Sequence, residues 1–257
     1  MGKLFLIGGK ADQCVAHFVA LAGGAAANIL VVPHASSVPL IVAAEFVEEL
    51  VGHGVQNITC AVAGEPLVIA PEVTAVYMCG GDQADLVRLL GEDGAENLRR
   101  FHAAGGLIAG TSAGAAAIGV DIITGGMADK QLRVGSLEAG KGLALCHDVV
   151  VDTHFLQRSR FNRLIAALVQ FPKALGIGLD EDTALLIETS VNAGKKKNPL
   201  PKMTAYGVGH VWFYSAGRGL KTSLKKNAAE NEPGALYSVS GVTVSVLSAG
   251  ETYGATG

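Results

Sequence analysis

The chain has 257 residues, 49% hydrophobic and 17% charged, which is enough apolar material for a large packed core and excludes a disordered chain. Its formal net charge of −3 supplies no field for nucleic acid or an anionic membrane, so neither is expected as a partner. The first apolar run, residues 4–7, is too short for a signal peptide or a membrane span. Cys14, Cys60, Cys79 and Cys146 lack paired or zinc-like spacing, so buried reduced thiols in a cytoplasmic, metal-free protein are expected.

In chain order, apolar runs alternate with helical patterns. Residues 4–9 read as a first strand ending in a Gly8-Gly9 turn, and residues 28–33 as a second closed by Pro33. Residues 39–54 carry Ile41, Val42, Phe46, Val47, Leu50 and Val51 at helical spacing, with Glu45, Glu48 and Glu49 expected outside. Residues 55–62 and 75–81 give a third and a fourth strand. A helix opening at Asp82 or Gln83 and another over about residues 95–104 lead to the strand Leu107-Ile108-Ala109. Continuous apolar strands alternating with helices predict an α/β protein: a mostly parallel sheet with helices on both faces. No repeat or linker is evident, so a single domain over residues 1–257 is expected.

The second half is less regular. Residues 121–140 read as a loop or short hairpin, residues 149–152 as a strand, residues 158–171 as a helix, and residues 176–179 and 183–187 as two further strands. Lys195-Lys196-Lys197-Asn198 reads as a solvated turn. From Ala205 onward the alternation Val208, Val211, Phe213, then Val242, Val244, Val246, predicts antiparallel edge strands closing the sheet. Residues 251–257 are expected to fray.

The chemistry centres on Gly110-Thr111-Ser112-Ala113-Gly114. This G-x-S-x-G pattern between a buried strand and a small-residue helix start is the form of a nucleophile elbow, in which a sharp turn exposes the serine hydroxyl. Serine needs a base, and the base needs a carboxylate to orient it. His53, His102 and His147 fall at helix ends or loops and read as surface or capping residues; His17 reads as structural and His34, at a strand end, as a weaker candidate. His154 follows a buried strand and is flanked by Asp152, Arg158, Arg160 and Arg163. Glu181, beyond the Gly-Ile-Gly-Leu strand, is the favoured orienter, with Asp152 left to hold a substrate group. The three arginines suit either a solvated helix face or a carboxylate ligand. Gly80-Gly81-Asp82-Gln83 offers backbone N–H groups from Gly81 or Asp82 opposite that of Ala113, an arrangement fit for an oxyanion, and Gln83 could meet a substrate amide. No G-x-G-x-x-G or P-loop pattern occurs, so no nucleotide cofactor is expected.

Taken together, Leu6-Ile7-Gly8-Gly9, Gly80-Gly81-Asp82-Gln83, Gly110-Thr111-Ser112-Ala113-Gly114-Ala115, Asp152-Thr153-His154-Phe155 with Arg158, Arg160 and Arg163, and Gly176-Ile177-Gly178-Leu179-Asp180-Glu181-Asp182 resemble the cyanophycinase family. These are serine peptidases grouped with aspartyl dipeptidases, on a fold akin to class I glutamine amidotransferases. The resemblance implies hydrolysis of cyanophycin, a poly-aspartate backbone bearing arginine on each β-carboxyl, to β-Asp-Arg dipeptides. It implies Ser112 as nucleophile, His154 as base, Glu181 as third member, and Gln83, Asp152, Thr153, Arg158, Arg160 and Arg163 around the substrate. It also implies a homodimer. The family usually carries glutamine where this chain has Thr153, which bears on subsite detail rather than chemistry. An aspartyl dipeptidase acting on short Asp-X peptides and a non-catalytic ligand-binding member of the fold are the alternatives.

Overall fold

Five parallel strands form one side of the main sheet: β1 (Lys3–Ile7), β2 (Asn28–Val32), β3 (Asn57–Cys60) at its edge, β4 (Ala75–Met78) and β5 (Leu107–Thr111). A computed structural model describes residues 2–126, 130–188, 201–225 and 227–254. β6 (Asp121–Gly126) and β7 (Leu137–Lys141) pair as a separate hairpin, followed by β8 (Val149–Asp152), β9 (Leu175–Leu179), β10 (Thr183–Glu188), β11 (Lys202–Gly207), β12 (Val211–Thr222), β13 (Val239–Leu247) and β14 (Thr252–Tyr253). The main sheet runs β14-β11-β10-β1-β5-β4-β2-β3, with β10, β11 and β14 antiparallel. Strands β1, β2, β4 and β5 are almost wholly buried because both faces are covered, which explains their unbroken apolar runs.

The side-chain alternation of these strands sorts the core into two layers. Phe5, Ile7, Ile29, Val31, Tyr77 and Ala109 face α1 (Val15–Ala22) and α2 (Pro39–Gly52), packing on Phe18, Phe46 and Leu50. Leu4, Leu6, Val76, Met78 and Ile108 face the other way, onto α3 (Gln83–Ala103) and α4 (Ala113–Ala116). Within α3 the backbone leaves helical geometry at Gly91, so the two predicted helices meet there at a kink.

One topological expectation is corrected. β12 and β13 do not extend the main sheet. Val211 pairs with Leu179 and Ser215 with Leu175, building a second sheet of order β13-β12-β9-β8. Ile177, Leu179, Val211 and Phe213 on its inner face share the core of Leu4, Leu6 and Leu185. Its outer face carries α5 (Phe161–Gln170) through Leu164, Ala167 and Leu168. The predicted edge strands are instead β11 and β14, and Thr252–Tyr253 is paired rather than frayed. The Lys195-Lys196-Lys197 turn and residues 255–257 lie outside the described residues. Among the described residues, no helix is long and apolar enough to cross a membrane.

Candidate active site

β5 ends at Thr111, whose hydroxyl donates to the Gly9 carbonyl at 2.6 Å, and the Ser112 N–H donates to Ile7 at 2.9 Å. These anchors hold Ser112 at φ 50, ψ −110, a positive φ that serine adopts only when its surroundings enforce it. Gly110 is required because a Cβ there would overlap the Gly114 backbone across the turn. The sharp turn predicted from G-x-S-x-G is therefore present, with α4 beginning at Ala113.

The hydroxyl meets His154. Ser112 Oγ stands 2.9 Å from His154 Nε2, and His154 Nδ1 stands 2.7 Å from Glu181 Oε1. The carboxylate accepts the Nδ1 proton, which fixes the tautomer that leaves Nε2 free to accept from the serine hydroxyl. His154 occupies the turn after β8 at φ 49, and its N–H donates to Gly8 at 2.6 Å. Burial lowers the pKa of His154. The Glu181 hydrogen bond opposes that shift, and Arg158 and Arg160 add to it. The imidazole is thus neutral at neutral pH, the state a base needs.

Ser112 lies between two cavities. One, of about 180 Å³, is lined by Gly81, Gln83, Ser112, Thr153, Arg158 and Arg163 among others. The other, of about 410 Å³, is bordered by Ser112 and His154 together with Lys10, Glu45, Glu49 and Tyr77. A further cavity, about 780 Å³ beside Val73, Thr74 and Gly106, touches neither Ser112 nor His154.

Several sequence expectations are corrected here. The Asp82 N–H donates to Ala35 at 2.8 Å, and the Asp82 side chain caps α3 through Ala84 and Asp85, so Asp82 has no N–H for an oxyanion. The N–H groups of Gly81 and Ala113 have no acceptor among the described residues. Asp152 does not face a ligand freely. It is 2% exposed and accepts from Arg163 Nε at 2.7 Å, from the Arg163 terminal nitrogen, from Arg160 at 3.1 Å and from the Thr153 N–H at 2.9 Å. Arg160 and Arg163 are therefore engaged internally, while Arg158 is exposed and forms no ion pair among the described residues. Gln83 donates its amide to the Ile123 carbonyl at 2.7 Å, which leaves its oxygen for a ligand. His102 is buried rather than superficial and Cys60 is exposed rather than buried. His34 is 1% exposed, and neither ring nitrogen has a partner among the described residues.

The sequence reading missed the second cavity. Glu45 faces outward as expected and Glu49 is half-buried, and with Val42 and Phe46 they form one stripe of α2 bordering the cavity beside Ser112. Their i, i+3, i+4, i+7 spacing was the available signal.

A serine on a strained elbow, hydrogen-bonded to a carboxylate-oriented histidine at the ends of parallel strands, is the constellation of a serine hydrolase. Residues 4–192 match the model of peptidase family S51. The chain is 33% identical over 201 residues to a cyanophycinase of Geminocystis herdmanii, covering 72% of this chain and 74% of the relative. It is 30% identical over 200 residues to a cyanophycinase of Trichormus variabilis, covering 72% and 67%. A crystal structure of a peptidase from an acI-B1 actinobacterium superposes with a TM-score of 0.60 at 19% identity, covering 99% of this chain and 97% of that one, a likeness of fold. The chain belongs to peptidase family S51 and is a serine-type peptidase.

Proposed function

We propose that this peptidase hydrolyses the poly-aspartate backbone of cyanophycin, releasing β-Asp-Arg dipeptides through an acyl-enzyme on Ser112. The observation that carries the reading is the continuous hydrogen-bond chain from Ser112 Oγ through His154 to Glu181, at 2.9 and 2.7 Å, placed beside a cavity that Arg158 lines. His154 takes the serine proton as Oγ adds to the scissile carbonyl. Glu181 stabilises the imidazolium that forms, and the proton passes to the leaving amine as the tetrahedral intermediate collapses. Water then enters by the same route, giving a proton to His154 as its oxygen adds to the acyl carbon, and that proton returns to Ser112 Oγ as the acid product leaves. The N–H groups of Gly81 and Ala113 are the oxyanion donors in this scheme, each worth roughly 3–4 kcal/mol of transition-state stabilisation.

Arg158 is the guanidinium available for a substrate carboxylate, because Asp152 holds Arg160 and Arg163. Gln83 offers its oxygen to a substrate N–H, and Thr153 shapes the wall between them. The four cysteines are free, which suits a reducing cytoplasm. The family resemblance adds a homodimer, to be checked by sedimentation. The deciding experiment incubates the protein with insoluble cyanophycin and identifies soluble products by mass spectrometry. Release of β-Asp-Arg supports the proposal. A folded protein that releases none, or that cleaves only free Asp-X dipeptides, overturns it.

A further inference from the structure

His154 and Glu181 sit on two separate turns, and their 2.7 Å contact depends on how those turns are held together. Three successive N–H groups anchor the histidine turn: His154 to Gly8 at 2.6 Å, Phe155 to Leu179 at 3.0 Å, and Leu156 to a carboxylate oxygen of Asp180 at 3.1 Å. The first two acceptors are backbone; the third is a side chain. Asp180 is 1% exposed and also accepts from Trp212 Nε1 at 3.2 Å and from the His210 N–H at 3.0 Å. In return, Gln157 of the histidine turn accepts from the Glu181 N–H at 3.1 Å. The two hydrogen bonds cross: residue 156 is held by the side chain of residue 180, and residue 181 by that of residue 157. Trp212 packs its ring edgewise on Phe161 at 5.5 Å, which backs the Asp180 carboxylate with rigid aromatic surface.

We propose that Asp180, supported by Gln157, is a positioning residue that locks the His154 turn to the Glu181 turn and so maintains the imidazole–carboxylate contact. The proposal rests on the reading of Ser112, His154 and Glu181 as the reacting group. A buried carboxylate with three donors converging on it has a defined place, and losing it frees both turns at once. Misplacing a reacting group by an ångström costs about 10²-fold in rate. The Glu181 contact also supports protonation of His154 against burial, so loosening it lowers the pH at which the imidazole discharges. Arg158 and Arg160 also act on the His154 imidazole, Lys10, Glu45 and Glu49 lie across the larger cavity, and His210 Nδ1 stands 3.8 Å from Asp180; the substitutions below leave all of them in place.

The test measures covalent labelling of Ser112 by a fluorophosphonate across pH, which needs no knowledge of the natural substrate. Asp180→Asn keeps the shape but sets an amide N–H₂ against the converging donors. Gln157→Met removes the reciprocal acceptor from an exposed position. Thermal unfolding confirms that each variant is folded. The expected result is a maximal labelling rate reduced at least ~10-fold in Asp180→Asn and ~3-fold in Gln157→Met, with half-saturating probe concentration unchanged and the acid limb moved to lower pH. If Asp180→Asn does not fold, Gln157→Met decides by the same two readouts. Wild-type rates in folded variants, or a reduced rate with an unmoved acid limb, overturn the role of Asp180. A wild-type protein that does not label, or a Ser112→Ala protein that still does, overturns the reading of the reacting group and this proposal with it.

Discussion

Arg163 grips both oxygens of Asp152, its Nε donating at 2.7 Å to Oδ2 and its terminal nitrogen to Oδ1, while the two side chains are only 10% and 2% exposed. Removing Arg163 leaves the buried Asp152 carboxylate with Arg160 at 3.1 Å and the Thr153 N–H at 2.9 Å in place of its two-point partner, and breaking a buried pair costs about 3–5 kcal/mol. Arg163→Ala is therefore expected to lower the melting temperature by roughly 6–20 °C in a domain of this size. Arg158→Ala leaves stability unchanged and raises KM at least ~10-fold for a substrate bearing a carboxylate. Calorimetry and steady-state kinetics on both variants check the division. Equal melting losses, or a KM effect confined to Arg163, contradict it.

Replacing Ser112 removes the proposed nucleophile but leaves the strained turn. Ser112→Ala should reduce turnover by at least ~10³-fold. Because alanine at φ 50 is no better accommodated than serine, the melting temperature should stay within a few degrees. Trapping with a mechanism-based serine probe, followed by peptide mapping, locates the label. Retained turnover in a pure preparation removes Ser112 from the reaction.

The elbow was legible in the sequence because its determinants are contiguous: Gly110, Ser112 and Gly114 lie within five residues, and the strand before them is buried on both faces. The positions of His154 and Glu181 were legible for a related reason, since each stands just beyond an apolar strand, where open α/β sheets meet their ligands. The second sheet was not. Val149–Asp152 and Leu175–Leu179 are short buried runs that look alike in either sheet, and the choice is made by the pairing of Val211 with Leu179, 32 residues away in sequence. The employment of Arg160 and Arg163 was also hidden. Spacing placed them near Asp152, but only packing decides whether a guanidinium faces a ligand or a neighbour. Asp82 failed as an oxyanion donor because its N–H meets the Ala35 carbonyl, a backbone approach that no side-chain pattern encodes.

Burial holds the His154 pKa below its ordinary value near 6.5, with Arg158 and Arg160 adding to the effect and Glu181 opposing it. A base must be neutral to act, so the acid limb of kcat/KM should fall below pH 6.5 and activity should be full at pH 7. Glu181→Gln removes the carboxylate that favours the imidazolium and should move the limb further toward acid, with a large loss of turnover. A pH profile of both proteins measures this. A limb above pH 6.5 in the wild type would show that burial does not govern the imidazole.

Stability should also depend on pH through His34, His102 and His154, all lowered chiefly by burial. Near pH 6.5 the unfolded chain takes up protons that the folded chain refuses, so the unfolded state binds more of them and stability rises with pH. The contribution is complete above about pH 6.5 and is lost as pH falls through the lower folded values. Melting temperature should drop between pH 7.5 and pH 5.5. His34→Leu should flatten that slope, because His34 is buried with neither ring nitrogen partnered among the described residues. An unchanged slope in His34→Leu contradicts the assignment.

Gly81 joins a backbone requirement to the proposed oxyanion site. Its φ of 144 is one that residues with a Cβ rarely adopt, and a Cβ would overlap the Ala35 carbonyl that also receives the Asp82 N–H. Gly81→Ala must therefore shift the turn, at a cost of about 1–3 kcal/mol in backbone strain. The shift moves the Gly81 N–H away from the oxygen of the carbonyl whose carbon Ser112 attacks, and losing one oxyanion donor costs roughly 10²–10³-fold in kcat. KM should change little, since the donor acts on charge that develops only in the transition state. Kinetics at a temperature well below the variant's melting point separate the two effects. A folded Gly81→Ala protein with wild-type kcat would exclude the Gly81 N–H from the oxyanion site and leave Ala113 as its proposed donor.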